Sequence, residues 1–297
     1  MKITAGICSL EQARCYAGHG ADEFYCGFSG LPNYKASSHY NVNDSKRLET
    51  IIAFCRKAGK PIHIALNTTL DSEKSLPGIL KEIAVLEQMG ASGFIVKDIA
   101  LMSAIKESGL NFYVIASHLC QIFNSESLKM HTRAGAARVV WPQQLLPGEA
   151  KRALENSPRV ETEIFYLPYY YCRNVDGVCR LHDGHAFQRN QATKRIDNNM
   201  SMYCALEYSC NGDSYRLAVP PLRESLRKIW QYHALGTGYL KLARRYYPEF
   251  YGDQRESLLE AVKIIALLDR RPALGDFLES AEKMARPLYS KWNKRLH

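Results

Sequence analysis

No stretch of the 297-residue chain holds the roughly 18 consecutive apolar residues that a membrane-crossing helix needs, so a helical span is excluded. The opening MKITAGICSLEQARC also lacks the long uncharged core of a secretory signal, because Glu11 and Arg14 interrupt it; the expected compartment is the cytoplasm. Acidic residues are in short supply. Thirty Asp and Glu face 39 Lys and Arg, for a net charge of +9, which favours anionic partners such as RNA, phosphate esters or polycarboxylates. Much of the excess sits late, at Arg223, Arg227, Lys228, Lys241, Arg244, Arg245, Lys283, Arg286, Lys291, Lys294 and Arg295. The bland alternative is a solvated charged face, since Glu256, Glu260, Glu279 and Glu282 interleave with part of it. Nor is the composition that of a disordered chain. It is 46% hydrophobic and 23% charged, enough for a sizeable core.

What is present is a β-α rhythm. Strand-like runs fall at 2–7, 23–28, 61–67, 93–98, 111–117, 137–142 and 161–167. Helical segments lie between them, at 9–20, about 45–58, 76–89, a short one reaching Gly109, 125–134 and 147–156. Apolar strands alternating with helices argue for a parallel sheet covered by helices. The succession is regular and no glycine-rich phosphate loop follows the first strand. Both features favour an α/β fold of the (β/α)8 barrel type over a doubly wound sheet. After the seventh strand the rhythm breaks: residues 169–222 are rich in Tyr, Cys, Asn and charge. A helix near 222–235 and an eighth strand, GYLKLA at 238–243, restore it. The expected organisation is a barrel over 1–250, with a cysteine-rich irregular insertion at 169–222 between strands seven and eight, and a helical extension over 251–297. The insertion would lie at the carboxyl-end face, where the active sites of such barrels gather.

Nine cysteines in a cytoplasmic chain read as thiols or metal ligands before disulfides. Four fall in the insertion, Cys172, Cys179, Cys204 and Cys210, spaced C-x6-C-x24-C-x5-C. Four thiolates suit a [4Fe–4S] cluster or a structural zinc, yet the spacing is that of neither a zinc ribbon nor a ferredoxin run. The alternative is a set of unrelated thiols. Cys8, Cys15, Cys26, Cys55 and Cys120 sit on apolar segments and read as small core residues.

ETEIFYLPYYYCRNVDGVCRLHDG resembles the signature of the U32 family, whose members have been called U32 peptidases or collagenase-like proteases. Further blocks follow in the family's order: GADEFYCGF (20–28), IHIALNT (62–68), GASGFIVKD (90–98), ASHLCQIFN (116–124), GAARVVWPQQL (135–145) and LGTGYLKLARR (235–245). The resemblance covers about residues 1–250. It implies a barrel-like core and a [4Fe–4S] cluster on four cysteines; zinc stays the alternative that the thiolates themselves allow. It also implies oxygen-independent hydroxylation of RNA bases or of a quinone precursor, with prephenate as oxygen donor in some members. Other members carry only the peptidase label, and no Ser-His-Asp or HExxH pattern is visible here to support proteolysis.

Three departures remove polar groups. Leu167-Pro168 replaces the family's His-Gly, Gln143-Gln144 replaces its Arg-Glu, and Ala243 replaces a Glu. A non-catalytic cluster protein that pairs with a homologous subunit or binds RNA is therefore a further reading, beside enzyme and peptidase. The expected site combines the four cysteines with Asn67, Asp98 and His118, which lie at or just past strand ends, and Arg245, which matches the family arginine. These four would orient an anionic substrate, either RNA or a small carboxylate. For Asp98 the alternative is a helix cap, for Asn67 a turn residue, for His118 a loop histidine and for Arg245 surface solvation. Tyr169, Tyr170 and Tyr171 either stack on a base or wall off a cluster. His182 and His185 are alternative ligands or solvated loop residues.

Overall fold

A computed structural model of the chain describes residues 1–33, 41–70, 73–110, 112–157, 159–166, 207–216, 221–242 and 251–293. Eight strands form one parallel sheet: β1 (Lys2–Gly6), β2 (Glu23–Phe28), β4 (Ile62–Leu66), β5 (Gly93–Val96), β6 (Tyr113–Ala116), β7 (Arg138–Val140), β8 (Glu161–Phe165) and β11 (Tyr239–Lys241). Their order is β1-β11-β8-β7-β6-β5-β4-β2, and β2 pairs back onto β1, so the sheet closes into a TIM-like barrel. Pairing Lys2 with Tyr239 and Thr4 with Glu23 brings the two ends of the barrel sequence onto the same strand.

The helices α1 (Leu10–Gly18), α2 (Ser45–Lys57), α3 (Leu76–Met89), α4 (Ile99–Glu107), α5 (Ser125–Arg133), α6 (Pro147–Glu155) and α7 (Leu222–Ala234) follow the expected rhythm. Their starts are chemically marked. Ser9, Asp44, Asp98 and Asn124 each accept a backbone N–H from the first turn of α1, α2, α4 and α5. The run GFIVKD ends as a strand at Val96 because Asp98 has already become a cap. Outward-facing residues such as Ile3, Phe24, Ile64, Phe94 and Leu240 are buried against the helices and make the main core.

Two elements were not expected. In the stretch read as irregular, β9 (Glu207–Cys210) and β10 (Asp213–Arg216) pair as an antiparallel hairpin. Asn211 and Gly212 take φ of 52° and 89° at its turn, the positive-φ pair that a two-residue hairpin requires. A two-residue strand, β3 (Asn41–Val42), pairs in parallel beside the carboxyl end of β2 as a ninth strand of the sheet. The tail is two helices, α8 (Tyr251–Leu268) and α9 (Leu274–Asn293), separated where Arg271 adopts φ of 51° before Pro272. Helix α8 packs on α1 and β1, and α9 packs on α7 and α8.

Gly93 faces the barrel interior, and a Cβ there would lie 2.1 Å from the Tyr113 carbonyl oxygen, on backbone that cannot step aside. Gly93→Ala should destabilise the chain by about 1–3 kcal/mol in urea unfolding. In Gly78→Ala, on α3, the new methyl meets nothing within 4 Å. That substitution should stabilise by about 0.4–1 kcal/mol.

Candidate functional site

Because both faces of a barrel strand are buried, alternate residues of each strand point into the barrel. Here the inward positions are charged. Arg138 on β7 is 2% exposed and Glu163 on β8 is fully buried. The Arg138 guanidinium grips both oxygens of Glu23 on β2, with Nη2 donating to Oε2 at 3.1 Å. Its Nη1 also lies 3.4 Å from Glu163 Oε2, and its Nε donates to the Tyr113 hydroxyl at 3.1 Å. The Tyr239 ring centre sits 3.2 Å from the guanidinium carbon. Glu23 further accepts from Thr4 Oγ1 at 2.7 Å and lies 3.5 Å from His63 Nε2. On β11, Lys241 Nζ donates to Glu163 Oε1 at 3.2 Å and rests 4.1 Å from the Tyr25 ring centre. Towards the amino end, half-exposed Glu161 accepts from Tyr113 and Tyr239.

Burial pushes the Glu23 carboxyl up, but the nearby His63 ring and the Arg138 guanidinium outweigh it and hold the group well below the ordinary carboxylate range. Burial likewise pulls Arg138 down, and the Glu23 and Glu163 carboxylates more than restore it. Such a network contributes little net stability when intact and costs a great deal when one partner is removed.

Above the ions lies an apolar layer of Ile95, Ile115, Val140 and Phe165, with Tyr25 and Tyr113 packed on it. These four core residues end, or nearly end, their strands, so they form the floor of the carboxyl-end mouth. The expected rim residues stand around it. Asn67 lies just past β4, half-buried. His118 opens a single 3-10 turn after β6, its ring edge-on to Phe165 with centroids 4.8 Å apart. Asp98 is engaged as a scaffold group. Its Oδ1 accepts from Leu101 N in α4 and its Oδ2 from Leu70 N, each at 3.1 Å, tying the loop after β4 to the loop after β5.

Arg245, Cys172, Cys179 and Cys204 lie outside the described residues, as do Tyr169, Tyr170, Tyr171, His182 and His185. Of the quartet, Cys210 alone falls on a described backbone, as the last residue of β9 opposite Asp213. Among the described residues no group of three or more His, Cys, Asp and Glu is arranged to hold a metal. Burial pushes the Cys55 and Cys120 thiols up to about 12, so neither is a ready nucleophile. The late basic face is partly neutralised in place: Arg223 and Arg286 share Glu282, Lys283 pairs with Glu279, and Lys291 pairs with Glu256.

Glu23, His63, Arg138, Glu163 and Lys241 were not singled out from the sequence. Their signal was there, as ionisable residues inside apolar strand runs, four of them fully charged types.

A closed parallel barrel with a polar rim at its carboxyl end defines the architectural class. Within it, the model of Peptidase family U32 matches residues 8–205, well over half of the chain, and the chain belongs to that family. Among solved structures it is similar to one described as the U32 peptidase Mk0906, with a TM-score of 0.60 and 15% identity over 84% of this chain and 94% of that one. It is also similar to tryptophan synthase from M. tuberculosis, with a TM-score of 0.45 and 11% identity over 97% of this chain and 92% of that one. No curated protein matches it in sequence. No helix among the described residues is long and apolar enough to cross a membrane.

Removing Arg138 strands two buried carboxylates, so Arg138→Met should cost about 3–5 kcal/mol in chemical unfolding. Glu23 binds its proton more weakly folded than unfolded. The unfolded chain therefore takes up more protons in acid, and stability falls as pH drops below the ordinary carboxyl value of 4.5. The difference in stability between the native chain and Glu23→Gln should shrink steadily from about pH 5 to pH 2. A pH-independent difference would show that Glu23 carries no depressed ionisation.

Proposed function

We propose that this U32-family chain is an iron–sulfur protein that hydroxylates an RNA base or a quinone-type small molecule without molecular oxygen, at the carboxyl-end mouth of the barrel. The observation that carries the reading is topological. The segment bearing Cys172, Cys179 and Cys204 departs from the carboxyl end of β8, directly beyond Phe165 and Tyr166, and Cys210 follows at the end of β9. Four thiolates are the donor chemistry a [4Fe–4S] cluster requires, and they belong to the chain that leaves the reactive face of the fold. Such a cluster, when bound, supplies electron transfer. The protein's own contribution is to bind and orient: Asn67 and His118 offer hydrogen bonds at the rim, and Arg245 offers a bidentate grip for a carboxylate or phosphate. Asp98, with both oxygens engaged by backbone donors, holds the rim's shape.

One observation favours a second reading, a non-catalytic partner subunit. Gln144, half-buried just past β7, stands where the family segment carries a Glu, so a carboxylate that could act as general acid or base is missing there.

Protein purified without oxygen should be brown, absorb near ~410 nm and contain iron and sulfide in equal amounts. Single Cys→Ser changes at 172, 179, 204 and 210 should each lower the iron content. Colourless protein with one zinc per chain would overturn the cluster. A homologous chain that co-purifies, with hydroxylated product formed only by the pair, would assign this chain the partner role.

A further inference from the structure

Lys241 is a buried cation whose three donors are not all taken up among the described residues. It is the last residue of β11, side by side in the sheet with Phe165 of β8, and its side chain is 5% exposed. An ammonium has three N–H donors. One reaches Glu163 Oε1 at 3.2 Å and a second direction is taken by the Tyr25 ring. No further partner for it exists among the described residues. Glu163 is itself shared with Arg138, which is already committed to Glu23. A charged donor left unmade in a buried setting is costly, which makes an incoming oxygen at this point favourable.

The surroundings say what kind of oxygen. Phe165 is the sheet neighbour of Lys241 and carries the His118 ring edge-on. Ile95, Ile115 and Val140 complete an apolar floor with it. A planar ring can lie on such a floor while a carboxylate at its edge reaches the ammonium. We propose that Lys241 contacts the substrate directly, donating its remaining N–H to a carboxylate oxygen on a planar, largely apolar ring. Glu163 competes with that oxygen for the ammonium, and the Tyr25 ring lies against it. The four charges of Glu23, Arg138, Glu163 and Lys241 sum to zero, so the attraction comes from the short hydrogen bond and not from a long-range field, and a single contact of this kind binds weakly.

This assignment rests on reading the carboxyl-end mouth as the reaction site, and not on the cluster. Benzoate is the simplest probe of the stated chemistry. Titrated into the full-length protein and followed by ligand-observed NMR and by thermal shift, it should bind saturably in the millimolar range. Lys241→Met should weaken that binding about tenfold or more, as expected for a hydrogen bond to a charged group, and Lys241→Arg should retain part of it. Glu163→Gln, which removes the competing carboxylate, should tighten it. Should Lys241→Met alone fail to fold, the double change Lys241→Met with Glu163→Gln leaves no stranded carboxylate from the pair and carries the same test. Benzoate binding unchanged in the lysine-free protein, or no saturable binding to the native chain, overturns the assignment. Iron measured on the same samples keeps the two questions apart: colourless protein whose benzoate binding depends on Lys241 sinks the cluster alone.

Discussion

Arg138 and Glu23 stand on strands that are four places apart whichever way the barrel is followed, so their ion pair runs across its full width. Both groups are removed from water, and neither survives burial alone at tolerable cost. The pair therefore fixes which side chains can fill the rest of the interior. Glu163 takes the guanidinium's remaining edge, Lys241 answers Glu163, Thr4 and His63 complete Glu23, and Tyr113 and Tyr239 box in the arginine. Barrels of this architecture are usually filled by branched aliphatic residues in layers. Here one layer is ionic, and the apolar cluster of Ile95, Ile115, Val140 and Phe165 beside it makes the floor of the mouth.

That stratification divides labour between the two ends. The charges near the amino end communicate with solvent through half-exposed Glu161. The mouth at the other end is shaped by strand termini and by backbone-directed side chains: Asp98 binds two loops together, and Ser117 accepts from Leu119 N to shape the turn that presents His118. A rim built in this way is stiff before any ligand arrives, which is what orientation of a substrate demands.

The barrel was legible because continuous apolar strands, glycine-ended helices and cap residues such as Ser9 recur in register. The hairpin at 207–216 was passed over although Asn211-Gly212 is a strong turn signal, because the cysteines around it drew the reading towards loop. The interior ions were harder to see. A strand buried on both faces shows no alternation, so nothing in Glu23-Phe24-Tyr25 or Arg138-Val139-Val140 says which side is the inside. Once the direction is known, the parity of Glu161, Glu163 and Phe165 orders the whole strand. Asp98 shows the opposite difficulty: an aspartate at a strand end and a helix start satisfies both a site pattern and a cap pattern, and its distances to Leu101 and Leu70 show the cap.

Strand β1 pairs with β2 on one edge and with β11 on the other, and α8 lies against it and against α1. During synthesis the first strand thus waits, with one backbone edge unsatisfied, until residues 239–241 have emerged. Contacts so distant along the chain make closure slow, and an open edge invites pairing with neighbouring molecules. Nascent copies crowded on one message are consequently exposed to mispairing until then, and truncation before residue 239 leaves a sheet that cannot close.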